Sequence, residues 1–323
     1  MTPNGISLDM ASILGLALES VLYGISLLLF AGTIWVLFTR DSPKRVLACK
    51  LVVSLALFAL STAYWIVDVI RCIEGLVLYR DSYLGGPNAF FADRAQWTFA
   101  VQNLLYLLQT LVGDGVVIFR CYVAWQSWKV VALPLVLWVI VAATGAGTVY
   151  TLIHNKDGEN DIFASETGLL ITPFLVSSLV ANVFSTSLLV YRLWVVGRRA
   201  ERLMRQSIGY PHRSMIAPLA RIFADAGLLY SITLLAVLLT FVTQNQGLYV
   251  TLDLIMPIIS ITFYMVILRV ETRTTSGNIT RGSGRAPRDS NTTQTLEHRP
   301  EGGGSSGKYS SMSTMLTVLF PAS

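Results

Sequence analysis

Seven long apolar runs, at 13–38, 51–70, 98–118, 130–152, 168–190, 222–243 and 248–270, constrain this chain more than any other feature. Each holds 20 to 26 residues, and about 20 helical residues at ~1.5 Å rise cross a ~30 Å hydrocarbon layer. Backbone groups in lipid must be satisfied inside the segment, and no run shows the alternation of a barrel strand, so the spans are predicted to be helices. Charge agrees. Only 13% of residues are charged against 53% hydrophobic, whereas a soluble domain carries roughly 25% charge. The expectation is an all-α seven-transmembrane helix bundle over residues 1–270, with a disordered tail rich in Ser, Thr and Gly over 271–323.

The basic residues give the orientation. Loops 1–2, 3–4, 5–6 and the C-terminal stretch hold 20 of the 24 Lys and Arg, and the opposite side holds 4. The positive-inside rule then puts the N-terminus outside and the C-terminus in the cytosol of a multi-pass protein, with the plasma membrane as the expected location. The net charge of +5 is a topology signal and calls for no nucleic acid. Span 1 does not read as a cleaved signal peptide, because it is long and Arg40, Lys44 and Arg45 follow it. The basic stretch 191–221 reads as span 5 continuing into the cytosol. It is suited first to anionic inner-leaflet lipid, and a docking surface for a cytosolic partner is the compatible alternative.

Ionisable residues inside spans are costly and are functional candidates. Glu19 lies ~9 Å below the outer edge of span 1, and Asp253 ~8 Å below that of span 7. Asp68 ends span 2. Spans 1, 2 and 7 neighbour one another in an ordinary bundle, so three acids are placed to converge in its outer third. Such a group would receive an organic cation, a metal ion or a proton. For Asp68 the simpler expectation is a pair with Arg71, three residues on.

At the other end, Asp114 lies ~24 Å down span 3 and Asp225 ~5 Å inside span 6, with Arg120 and Arg221 near the same level. Asp114 and Arg120 are six residues apart and out of register. Arg120 is expected to snorkel to headgroups, or else to bridge to Asp225 as a latch between spans 3 and 6. Phe119, Tyr122, Trp125 and Trp128 around it read as an interfacial aromatic belt. Pro134, Pro173 and Pro257 fall within spans 4, 5 and 7, where each removes a backbone hydrogen bond. The run "AATGAGT" from Ala142 suggests close helix contact.

Much chemistry is excluded. His154, His212 and His298 all lie outside the spans, which argues against a bis-imidazole haem and an intramembrane zinc hydrolase. No span contains a lysine to anchor retinal. "GDG" at 113–115 has the wrong glycine spacing for an aspartyl protease, and neither a G-x-S-x-G elbow nor a P-loop occurs. No enzyme and no cofactor are expected. Cys49, Cys72 and Cys121 are too scattered for a disulfide framework.

Residues 113–137, "GDGVVIFRCYVAWQSWKVVALPLVL", are similar to a group of uncharacterised seven-helix membrane proteins of basidiomycete fungi. That group shows Gly-Asp, an apolar run, Tyr/Phe-Arg-Cys-Tyr and a Trp before a Pro-bearing fourth helix. "SITFYMVILRV", 260–270, resembles its closing pattern. The resemblance implies a fold and carries no activity with it. Against G-protein-coupled receptors the likeness is one of plan. Arg120 stands in the place of the arginine of Asp-Arg-Tyr, but no acid precedes it and Cys121 interrupts. The functional expectation is a receptor-like sensor of an unknown small ligand. A transporter or channel for a small cation or metabolite, and a purely structural membrane protein, are the alternatives. No convincing internal repeat supports a transporter.

An N-terminal tag should label from outside intact cells and a C-terminal tag only after permeabilisation. Glycosylation of the sequons at Asn278 or Asn291 would invert this topology.

Overall fold

The computed structural model describes residues 7–39, 44–83, 85–93, 96–154, 166–208, 216–245 and 247–282. They form α1 (Leu8–Phe38), α2 (Lys44–Ile73), α3 (Gly86–Ala92), α4 (Trp97–Trp125), α5 (Trp128–His154), α6 (Glu166–Ile208), α7 (Ile216–Val242) and α8 (Gly247–Gly282). A five-residue π-helical turn, Glu74–Leu78, extends α2. All of these helices except the short α3 are long and apolar enough to cross a membrane. Each expected span coincides with one of them, the sixth overrunning α7 by the single residue Thr243, so the chain is an all-α, seven-helix, multi-pass integral membrane protein.

The helices overrun the apolar runs. An apolar run measures the thickness of hydrocarbon, whereas a helix continues until its backbone groups find other partners. α6 continues to Ile208, as the basic stretch suggested. α8 passes the expected boundary at residue 270 and continues through Asn278 to Gly282, which corrects the disordered assignment for that segment. Residues 209–215 of the basic stretch, and 283–323 with Asn291 and the terminal "MLTVLF", lie outside the described residues.

α1 packs between α2 and α8, α7 between α6 and α8, and α5 against α4 and α6. α4 threads the interior and touches α2, α5, α6 and α8. The packing is inside-out relative to a soluble bundle. α1 buries Ala11, Gly15, Glu19, Ser26, Thr33 and Leu37, while Leu28 and Trp35 are 71% and 73% exposed. Lipid tails are as apolar as leucine, so no hydrophobic force drives such helices together. Small residues and hydrogen bonds therefore take over the helix seams. Tyr264 of α8 donates to the Ser54 carbonyl of α2 at 3.1 Å. Gln109 of α4 donates to the Met256 carbonyl at 2.7 Å and to Ser260 at 3.1 Å, both on α8.

The connection after α2 folds back against the N-terminal end of α1 and the π-helical turn that ends α2. Gly85, at φ 98°, starts α3 from the left-handed region that glycine adopts without strain. Phe90 and Phe91 then close on Gly75, where no side chain would fit. The Asp9 amide donates to Asn88 Oδ1 at 3.3 Å. Outside the spans, the Tyr83 hydroxyl donates to Asp93 at 2.6 Å, and that carboxylate holds the phenol above its ordinary range.

Small-residue packing is specific in position. A methyl at Gly145, within "AATGAGT", would overlap Leu107, with Phe174 also at 3.0 Å, whereas Gly24 faces open space. Gly145→Val should lower the thermal unfolding midpoint in detergent by the equivalent of about 1–3 kcal/mol of overpacking. Gly24→Val should not lower it.

Candidate functional site

The site grows from the periodicity of three helices. On α2, Tyr64, Asp68 and Arg71 are spaced four and three apart and so share one face. On α1, Gly15 and Glu19 stand one turn apart. On α8, Asp253 lies near the N-terminal end and points into the notch left by Gly15, where a methyl group would overlap its carboxylate. The result is that Glu19, Asp68 and Asp253, all buried, each offer an oxygen, and these oxygens lie within 4.8 Å of one another. The convergence expected from the depths of the three acids is what the helices build.

Their partners differ. Tyr64 donates its hydroxyl to Asp253 Oδ1 at 3.0 Å. Gln102 of α4 donates its amide nitrogen to Asp68 Oδ1 at 2.9 Å, and its carbonyl accepts from Arg71 Nη1 at 2.8 Å. Arg71 also donates to the Phe91 carbonyl at 3.1 Å, and it lies 5.0 Å over the Phe99 ring. The direct Asp68–Arg71 pair is thus replaced by an amide bridge. Arg71 is not at the interface but buried beneath the α3 segment, which offered it a carbonyl and aromatic faces. Glu19 Oε2 and Asp68 Oδ2 remain buried with no hydrogen-bond partner.

Electrostatics limits what this group tolerates. Two ionised carboxylates ~4.8 Å apart at an effective dielectric of ~20 repel by ~3.5 kcal/mol, and the triad has three such pairs. Arg71 supplies one compensating charge, held at a distance by Gln102. The donor set is hard oxygen throughout, and one ion with metal–oxygen distances of 2.3–2.6 Å spans oxygens that far apart. A cavity of about 100 Å³ adjoins the triad, lined by Tyr64, Asp68, Arg71, Gln102, Tyr106 and Asp253 among others.

The C-terminal end of the bundle departs from expectation. Arg120 neither pairs with Asp225 nor reaches out alone. Its guanidinium lies 5.4 Å over the Phe223 ring and 5.2 Å over the Phe263 ring. Asp225 is exposed and stands 3.6 Å from Arg269 of α8. Arg221 is exposed on α7, one turn before Asp225. Asp114 is buried, and neither of its oxygens has a partner. The latch does not form: the Arg120 guanidinium rests on Phe223 and Phe263, and α8 brings Arg269 to Asp225.

"FRCYVAW" nevertheless has a structural use. Cys121 Sγ donates to the Ser185 carbonyl at 3.1 Å, and Trp125 Nε1 to the Leu188 carbonyl at 3.2 Å. Arg192 returns a bond to the Ala124 carbonyl at 3.2 Å and lies 5.0 Å over the Trp125 ring. These pin the end of α4 to α6. A second feature is the ion pair of Lys50 with Glu271 at 2.7 Å, joining α2 to α8. Both residues sit just beyond their apolar runs, at matching levels, and that shared level was the available signal. Gln102, Tyr64 and Gln109 were missed because neutral polar residues in spans do not stand out as charges do.

Compared with protein-family models, with curated proteins and with solved structures, the chain matches none.

A double-mutant cycle of Arg120→Ala and Asp225→Ala should give additive changes in stability. The cycle of Asp225→Ala with Arg269→Ala should give a coupling no larger than about 0.5 kcal/mol, since both groups are half-exposed and screened.

Proposed function

We propose that this integral membrane protein is a receptor-like sensor of a small cation, a divalent metal ion, bound by Glu19, Asp68 and Asp253 on the extracellular side of the plasma membrane. The observation that carries the reading is the convergence of three buried carboxylates from three helices with two oxygens still unpartnered. Three ionised acids facing one arginine leave two negative charges, which a divalent ion neutralises.

The sensor reading also draws on α8. The membrane span of this helix, Gly247–Thr272, holds Asp253 near one end and both Arg269 and Glu271 near the other, with Pro257 between them. A ligand that draws Asp253 toward α1 and α2 would therefore bias the Lys50–Glu271 contact at the opposite end, as a coupling between two sites requires. A transporter would use the same acids and differ in letting the ion through.

Purified protein in nanodiscs, titrated with Ca²⁺, Mg²⁺ and Mn²⁺ in a choline buffer, should show a saturable rise in unfolding temperature for at least one ion. That rise is equivalent to about 2.7 kcal/mol at a hundredfold excess over Kd. Asp253→Asn and Glu19→Gln should each abolish it. A flat response to all three ions would overturn the reading, and ion uptake into proteoliposomes would replace the sensor with a transporter.

A further inference from the structure

Asp114 is used by nothing described above. It is 3% exposed, and both its carboxylate oxygens lack a hydrogen-bond partner. The groups around it share this condition. Thr110 stands one turn before it on α4, Ser178 comes from α6 and Tyr230 from α7. Thr110 Oγ1, Ser178 Oγ and Tyr230 Oη are all buried and all unpartnered. Tyr230 stands in loose side-chain contact with Ser178 and Thr110 and near Asp114, outside the geometry of a formed hydrogen bond, and nothing donates to the carboxylate. Native interiors leave few such groups, and each one needs a physical account. Here three such hydroxyls, from α4, α6 and α7, gather near one carboxylate whose own two oxygens are orphaned as well.

We infer that Asp114, Thr110, Ser178 and Tyr230 form a second cation site, for a sodium ion with its water, separate from the three-acid group. Charge selects a monovalent ion: one carboxylate balances one positive charge, and the remaining donors are neutral hydroxyls. Donor type selects a hard alkali ion, since every ligand is oxygen. Among the described residues no basic side chain is paired with Asp114. The nearest basic residue on the helix, Arg120, is six positions away, and its guanidinium rests on Phe223 and Phe263. Among the described residues, the other titratable groups facing Asp114 are Tyr106 and Tyr230. A proton on Asp114 would provide one donor and leave the hydroxyls as they are. A sodium ion with its water satisfies the oxygens together and neutralises the charge.

The surroundings suit a small ion. Tyr230 also lines a neighbouring cavity of about 60 Å³ with Asn182, Thr186 and Arg120, large enough for one or two waters. Asp114 does not line this cavity, which would supply the ion's water and not house the ion. On the other side, Tyr106 lines the cavity shared with Asp68 and Asp253. Gly113, next to Asp114, backs onto Ile259 of α8, where a methyl group would come to 3.1 Å. The ion would therefore hold α4, α6 and α7 together at a level where α8 is packed tightly against α4.

The test is thermal unfolding of the full-length protein in nanodiscs, at one ionic strength, with the monovalent cation being sodium, potassium or choline. Sodium should raise the midpoint saturably, with potassium markedly weaker. Asp114→Asn should lose the sodium effect, and Ser178→Ala, which keeps the charge, should weaken the apparent sodium affinity by about tenfold or more. Asp253→Asn should keep the sodium response while losing any divalent one, so the two sites fail independently. A sodium shift that survives in Asp114→Asn, or none in the wild type, would overturn the inference. So would a response at Asp114 that follows pH and ignores sodium, because that identifies a proton as the occupant.

Discussion

Asp253 lies against the backbone of Gly15 and accepts the hydroxyl of Tyr64, and through these two contacts α8, α1 and α2 are held as one unit. In water such contacts would be weak. In hydrocarbon, where apolar faces have no preference for each other over lipid, polar groups that must find partners become the force that sets helix positions. The remainder of the bundle follows the same rule. Gln109 reaches backbone and side chain on α8, Tyr264 reaches backbone on α2, and Cys121 and Trp125 reach backbone on α6. At these seams a side chain bonds to another helix's carbonyl or hydroxyl, and elsewhere a glycine such as Gly15 lets two helices come close.

This division of labour explains what could be read in the linear chain. Helix number followed from seven apolar lengths, and the depths of Glu19, Asp68 and Asp253 followed from counting along helices. Convergence of the three acids needed only the further assumption that spans 1, 2 and 7 are neighbours. Partner choice was not legible. The pairing of Arg71 depended on α3 folding back over it, which no periodicity encodes. Arg120 and Asp225 do share a level, yet the rotation of α8 places Phe263 beneath the guanidinium and Arg269 beside the carboxylate. A spacing rule gives the phase of a residue on its own helix but not the phase of the helix opposite.

The neutral residues carried the larger surprise. Gln102, Thr110, Ser178 and Tyr230 are unremarkable in an apolar run, because their polarity is small on any averaged scale. Buried together, they set the polar anatomy of the interior. Two polar levels result, one of three acids and one of a single acid among hydroxyls. With Arg71 counted they differ in net charge by one unit while drawing on the same chemical element as donor. Discrimination between ions here would rest on charge matching before geometry.

Gln102 separates Arg71 from Asp68 with an amide whose two ends cannot exchange roles. Its oxygen can only accept and its nitrogen can only donate, so the positive field of Arg71 is felt at the acids while the guanidinium never sits in their ligand positions. An arriving ion thus meets a carboxylate already oriented by a donor and has no ion pair to break before it binds. The amide acts as an insulating spacer: it keeps the site's built-in cation close enough to temper repulsion between the acids and too far away to compete for their oxygens.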